Sequence, residues 1–267
     1  MAAGASSYAL TLTPAELTRY RYMASRARDE EADDWAAAGI VPGARVADVG
    51  CGPGAVAVTV AEVVGPAGSV DGVDREPTAI AAAEAFIAES GVTNVRSRLG
   101  AADDTGLPPN SYDAVILRHV LAHNGGGEAA ITRHLASLVR PGGWVYLLDI
   151  AGIRPLAHYP AVTELEARYQ AFHASLGNDL LVGLRLEALL REAGLADVRG
   201  RRWDSVVHVP AGVRPPAWSA VPAMLAAGFV TAADVRRYDA ELTEFDVAPG
   251  RPRLDIPLCA AWGRRPT

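Results

Sequence analysis

Val46-Ala47-Asp48-Val49-Gly50-Cys51-Gly52-Pro53-Gly54 reads as a short buried strand that runs into a glycine-rich turn and opens a helix. Alternating glycines let the backbone turn sharply after a strand and let a ligand lie against bare main chain. Gly50-x-Gly52-x-x-Ala55 also satisfies the loose dinucleotide fingerprint, in which N–H groups at a helix N-terminus meet a pyrophosphate. Two residues argue against phosphate. Asp48 puts a carboxylate at the strand's end, and Pro53 removes an N–H donor from the turn.

Both features suit a cationic nucleoside without phosphate. S-adenosylmethionine, with its sulfonium and ammonium groups, is such a ligand; an NAD(P) oxidoreductase and a protein that binds S-adenosylmethionine without methylating are the weaker readings. Ala55 to Val64 is rich in β-branched valine, yet a helix is expected there, because a parallel strand pair needs a crossover. The next strand, Ser69 to Val73, ends at Asp74, 20 residues beyond Gly54. At that spacing an acid accepts hydrogen bonds from ribose hydroxyls, and Arg75 joins it in the expected cofactor set.

Further strands are expected near Val92 to Leu99, Ala114 to Leu117, Trp144 to Ile150, Val198 to Val209 and Leu254 to Trp262, with helical patterns between most of them. The order predicts an α/β, Rossmann-like, doubly wound and mainly parallel sheet. Residues 1–35 would form an N-terminal flap whose first 15 residues are mobile, and residues 36–267 the main domain. Helical insertions around 153–193 and 211–247 would cap the substrate. Pro210 to Pro222 reads as loop, and the turn Arg140-Pro141-Gly142-Gly143 as the end of a helix.

Composition excludes several partners. The 267 residues carry a net charge of −6, and the 25 basic residues, all arginine, are scattered, which leaves no footprint for nucleic acid. No apolar run approaches the roughly 20 residues that cross a bilayer, and Met1 to Ser7 lacks the blocks of a signal peptide. A cytoplasmic protein acting on a small molecule, away from membranes, is expected. The two cysteines, Cys51 and Cys259, form no metal or disulfide pattern. The apolar helices of 220–245 read as lid or as homodimer surface.

The glycine turn, with the motifs that follow it, resembles the first motif of class I S-adenosylmethionine-dependent methyltransferases, and the resemblance covers about Ala36 to Arg265. It implies that Asp103, five residues before Pro108, contacts the adenine amino group, with Asp104 as the neighbouring candidate. Arg118-His119-Val120-Leu121-Ala122-His123 resembles the family's fourth motif, which implies that the Arg118 carbonyl faces the cofactor while its side chain turns away. Tyr20-Arg21-Tyr22, the Arg118 to His123 stretch and the terminal Ala-Trp-Gly-Arg-Arg are similar to actinobacterial natural-product methyltransferases. Within that group the flap tyrosines and strand-end histidine are similar to enzymes that methylate indole carbons, including C3 of tryptophan-derived compounds.

Methyl transfer from a sulfonium disperses charge, so positioning and exclusion of water dominate, and an acceptor carrying a proton needs a base. His119, just past a strand's carboxyl end, is the first candidate; His123 in the same turn and Tyr20 on the flap follow. Tyr22 or Arg28 would hold the methionine carboxylate, with Gly50, Gly52, Gly54 and Asp48 around the sulfonium end. Methylation of a phenol oxygen or an amine would use the same groups. His134, His158, His173 and His208 have no motif support.

Overall fold

The structure, a computed structural model, describes residues 12–155, 158–208, 214–248 and 253–267. Its centre is a seven-stranded sheet of β1 (Arg45–Val49), β2 (Ser69–Asp74), β3 (Val95–Leu99), β4 (Tyr112–Arg118), β5 (Val139–Ile150), β6 (Ala196–His208) and β7 (Arg253–Arg264), in the order β3-β2-β1-β4-β5-β7-β6. The first five strands pair in parallel; β7 runs antiparallel between β5 and β6.

Period-two burial divides the side chains between two cores. Val46, Ile116 and Tyr146 point to one face, and Ala47, Leu117 and Leu147 to the other. On the first face lie α1 (Pro14–Ala37), α2 (Ala55–Val64) and part of α3 (Pro77–Ser90). On the second lie α4 (Glu128–Leu138), α5 (Pro160–Ser175), α6 (Leu186–Glu192), α7 (Pro216–Ser219), α8 (Val221–Ala226) and α9 (Ala232–Val247). The valine-rich crossover is helical, as topology demands, with Val58, Val60 and Val64 buried. The expected doubly wound sheet is observed.

Three local expectations change. Arg140-Pro141-Gly142-Gly143 does not end a helix: α4 stops at Leu138, and these residues begin β5, where the ladder to β4 shifts register between Tyr112 and Ala114. Residues 216–219 and 221–222 are not loop but lie in α7 and α8, joined by a turn at Ala220, and the buried Ala217, Val221 and Met224 face the core; residues 209–213 lie outside the described residues. Of the segment expected to be mobile, 1–11 lie outside them too, while Thr13 caps α1 by accepting a hydrogen bond from the Glu16 N–H (3.2 Å).

Helix α1 buries acids as well as apolar groups. Glu31 accepts hydrogen bonds from Arg118 (2.6 and 3.1 Å), Tyr146 (2.9 Å) and Trp35 (3.1 Å), and so ties α1 to β4 and β5. Asp34 pairs with Arg201 of β6 at 2.7 Å. These contacts fix α1 over the carboxyl ends of the strands.

Candidate active site

The strand ends, α1 and α5 enclose a cavity of about 970 Å³. The glycine turn forms one wall. Gly50 (φ +73°) lies so close to Val120 that an added Cβ would stand 2.2 Å from its Cγ2, so glycine is required by backbone and space alike. The Gly52 N–H donates to Asp74 (2.9 Å), whose other oxygen accepts from the Glu76 N–H (3.0 Å). Asp74 therefore shapes the turn, and a carboxylate with about four lone-pair sites keeps capacity for ligand hydroxyls.

Asp48 is buried at the end of β1 and its Oδ2 has no hydrogen-bond partner. Burial pushes its carboxyl up to about 7, with Arg118 opposing and Asp74 assisting. Asp149 occupies the equivalent place on β5. It accepts from the Ala122 (3.1 Å) and Ile150 (2.9 Å) N–H groups, and burial holds it near 7 as well. Two desolvated acids thus line one cavity. They suit a cation, and the orphaned Asp48 oxygen beside the glycine turn fits the sulfonium and ammonium of S-adenosylmethionine better than any phosphate.

His119 follows β4 in a left-handed conformation (φ +56°), with its N–H bonded to the Leu148 carbonyl (2.9 Å). Its Nδ1 is 4.0 Å from Asp149, and its Nε2 has no partner. Burial, then Arg118, Arg19 and His123, push the imidazole well below its usual range. His123 is driven down to about 3 by burial, His173, Arg19 and Arg75. Both rings are neutral at pH 7. His173, unmarked in the sequence, lies 4.9 Å from His123 between ring centroids and meets Tyr169 edge-on.

The cavity gathers most of the expected residues: Tyr20, Tyr22, Asp48, Gly50, Gly52, Asp74, Arg75, Asp103, Arg118, His119 and His123 all line it. Arg75 bridges to Asn124 (3.2 Å). The Arg118 guanidinium turns away to Glu31, as the resemblance implied.

Three expectations fail. Arg28 is not at the cavity: on the exposed side of α1 it pairs with Glu62 of α2, and Arg19 is the α1 arginine among the described residues that reaches the cavity. Gly54 is not a cavity residue either. Its φ of +78° starts α2, and its bare Cα admits Ala83 of α3, which an added Cβ would meet at 3.0 Å. Asp104 is exposed off the cavity, closing a tight bridge to Ala101.

Sequence reasoning also missed Asp149, Glu166 and Tyr169. Asp149 had a readable signal, an acid closing an apolar strand as Asp48 does. Glu166 had none.

A sheet ordered this way, with a glycine turn after β1, an acid ending β2 and a buried acid with one unpartnered oxygen beside them, is the arrangement of a nucleoside-cofactor domain. Residues 46–143 match the family model described as a methyltransferase domain. The chain is 39% identical over 106 residues to nocamycin O-methyltransferase of Saccharothrix syringae, covering 40% of this chain and 38% of that one. It is 30% identical over 178 residues to a ubiquinone biosynthesis O-methyltransferase of Chromobacterium violaceum, covering 59% of this chain and 75% of the relative. The YcgJ protein of Bacillus subtilis shares the fold, with a TM-score of 0.58 at 18% identity over 88% of this chain and 97% of that one. The chain belongs to the class I S-adenosylmethionine-dependent methyltransferases. It spans 38% and 44% of the length of two of the curated relatives it matches. No helix among the described residues is long and apolar enough to cross a membrane.

Proposed function

We propose that the protein methylates a hydroxyl oxygen, phenolic in character, on a small natural-product acceptor. The observation that carries this reading is the shared cavity of about 970 Å³, near the upper end of the roughly 300–1,000 Å³ range of small-molecule sites, with room for cofactor and acceptor together. Along the strand ends, Asp103 and Asp74 mark the nucleoside end, Asp48 and the glycine turn the middle, and His119, Asp149 and the face of α5 the acceptor end. S-adenosylmethionine, when bound, supplies an electrophilic methyl group on a sulfonium. The chain's own work is to orient the acceptor, exclude water beneath α1 and receive a proton. The O-methyltransferase activity named for two relatives supports oxygen as the accepting atom.

Transfer to an indole carbon is the second reading. It is favoured by Tyr20 and His123, which line the same cavity and together would relay the indole N–H proton. Mass spectrometry with S-adenosylmethionine and a panel of phenols, indoles, tryptophan cyclic dipeptides and amines separates the two. An O-methylated phenol is expected. Product from an indole alone, or cofactor bound with no product across the panel, would overturn methylation of a hydroxyl.

A further inference from the structure

Helix α5 carries acids on two faces with opposite surroundings. On the outer face, Glu164 pairs with Arg237 of α9 (2.7 Å) and with Arg168 (3.5 Å), and these partners draw its carboxyl below the usual range. On the inner face, Glu166 lines the cavity one turn before Tyr169, which is buried. Burial is the one influence on Glu166: no hydrogen bond and no cation among the described residues moves its carboxyl, which rises to about 7. Its partial exposure is to the cavity it lines.

The charged and titratable groups on the surrounding elements explain this isolation. On α1, Glu16 and Arg19 pair with each other (2.7 Å) and Glu16 also accepts from Ser219 (2.7 Å), while Tyr20 lies toward Tyr169. On α9, Glu241 accepts the Val162 N–H (2.6 Å) and Asp246 pairs with Arg214 (2.6 Å), which precedes α7. After β4, His119 and His123 are neutral. On α5's inner side the other titratable groups are Tyr169, whose phenol burial pushes upward, and His173, whose ring burial pushes down to about 4.

We propose that Glu166 is the base that takes the acceptor's proton, in place of His119 or His123. The inference rests on hydroxyl methylation. The acceptor's O–H bond breaks with its proton passing to a Glu166 carboxylate oxygen. The pair left on the acceptor oxygen makes the new C–O bond while the methyl's former bonding pair stays with the departing sulfur. Charge favours the carboxylate. Protonating it removes a charge, whereas protonating His119 or His123 would add a cation beside Arg19 and the sulfonium. Driving force favours it too. From a phenol of pKa about 10 the transfer to Glu166 is uphill by about 3 pH units, against about 7 for His123.

The test uses catechol and the more acidic 4-nitrocatechol as acceptors, with Glu166→Gln and Glu166→Asp. For the wild type with S-adenosylmethionine held saturating at every pH, kcat/KM on catechol should rise with pH through about 7 as Glu166 ionises. Glu166→Gln should lose that limb and about 10²–10⁴-fold in rate. The loss should be much smaller on 4-nitrocatechol, which ionises unaided, and cofactor affinity by calorimetry should not change. Glu166→Asp, confirmed folded by its melt, should retain the limb at reduced rate. A carbon-13 carboxyl titration read by NMR, without turnover, should place Glu166 near 7. Glu166 titrating in the ordinary carboxylate range, an unmoved profile in Glu166→Gln, or equal losses on both phenols would overturn the assignment alone. A wild type that methylates neither phenol would overturn the hydroxyl reading and this role with it.

Discussion

Asp48 sits at the end of β1 with one oxygen unpartnered, and burial holds its carboxyl near pH 7. A cationic cofactor seated beside Asp48 would favour its ionised form, so binding would draw a proton off Asp48 and strengthen as pH rises through 7. Calorimetry in buffers of different ionisation enthalpy should show up to one proton released per S-adenosylmethionine at pH 6, and affinity about tenfold weaker there than at pH 8. In Asp48→Asn affinity at pH 8 should fall and its dependence on pH should flatten. A wild-type affinity that is level from pH 6 to 8 would separate the cation from this carboxylate. His119 shows a different economy at the same edge. Its left-handed backbone is uncommon for a residue with a Cβ, and its Nε2 is buried without a protein partner.

Helix α1 is fastened by charge, since Glu31 collects Arg118, Tyr146 and Trp35 beneath it. Glu31→Ala leaves the buried Arg118 guanidinium without its carboxylate, and urea unfolding should show a loss of about 3–5 kcal/mol. A loss below about 1 kcal/mol would mean that apolar packing alone seats α1. The same helix marks the limit of what the sequence discloses. The glycine turn, Asp74 and His119 are legible because each lies within a few residues of a strand end, and an open α/β sheet binds ligands at that edge. Glu31, Glu166 and Arg19 lie on helices where an acid or arginine at helical spacing reads as a solvated face, and only tertiary packing turns them inward. Arg28 fails for the converse reason: its sequence neighbourhood matches the flap, but helical phase points it outward to Glu62. The helices after Gly152 read as a substrate cap, but no alternation of strand and helix says which of their side chains face the sheet edge.

Across the whole molecule, buried acids and buried histidines oppose each other. Asp48, Asp149 and Glu166 are raised to about 7, so between pH 5 and 6 the folded protein keeps three protons that the unfolded chain has released. His119, His123 and His173 are lowered, so the folded protein lacks three that the unfolded chain holds. Each raised acid makes stability fall as pH rises toward 7; each lowered histidine makes it fall as pH drops below 6.5. These six groups oppose one another from pH 5 to 6. Asp48→Asn removes one opposing proton, so its unfolding free energy by urea denaturation should gain on the wild type's by about 1.4 kcal/mol per pH unit over that interval. A variant curve parallel to the wild type would refute the balance. The place of β7 has a further consequence, in time rather than space. This strand leaves the ribosome after all six others, yet it belongs between β5 and β6. Until it emerges, β5 offers an open edge that neighbouring chains can pair with, and β6 has no strand to join. Ribosome pausing shortly before residue 253 would therefore hold the nascent chain at its most aggregation-prone, and the order of synthesis becomes part of how this enzyme is made safely.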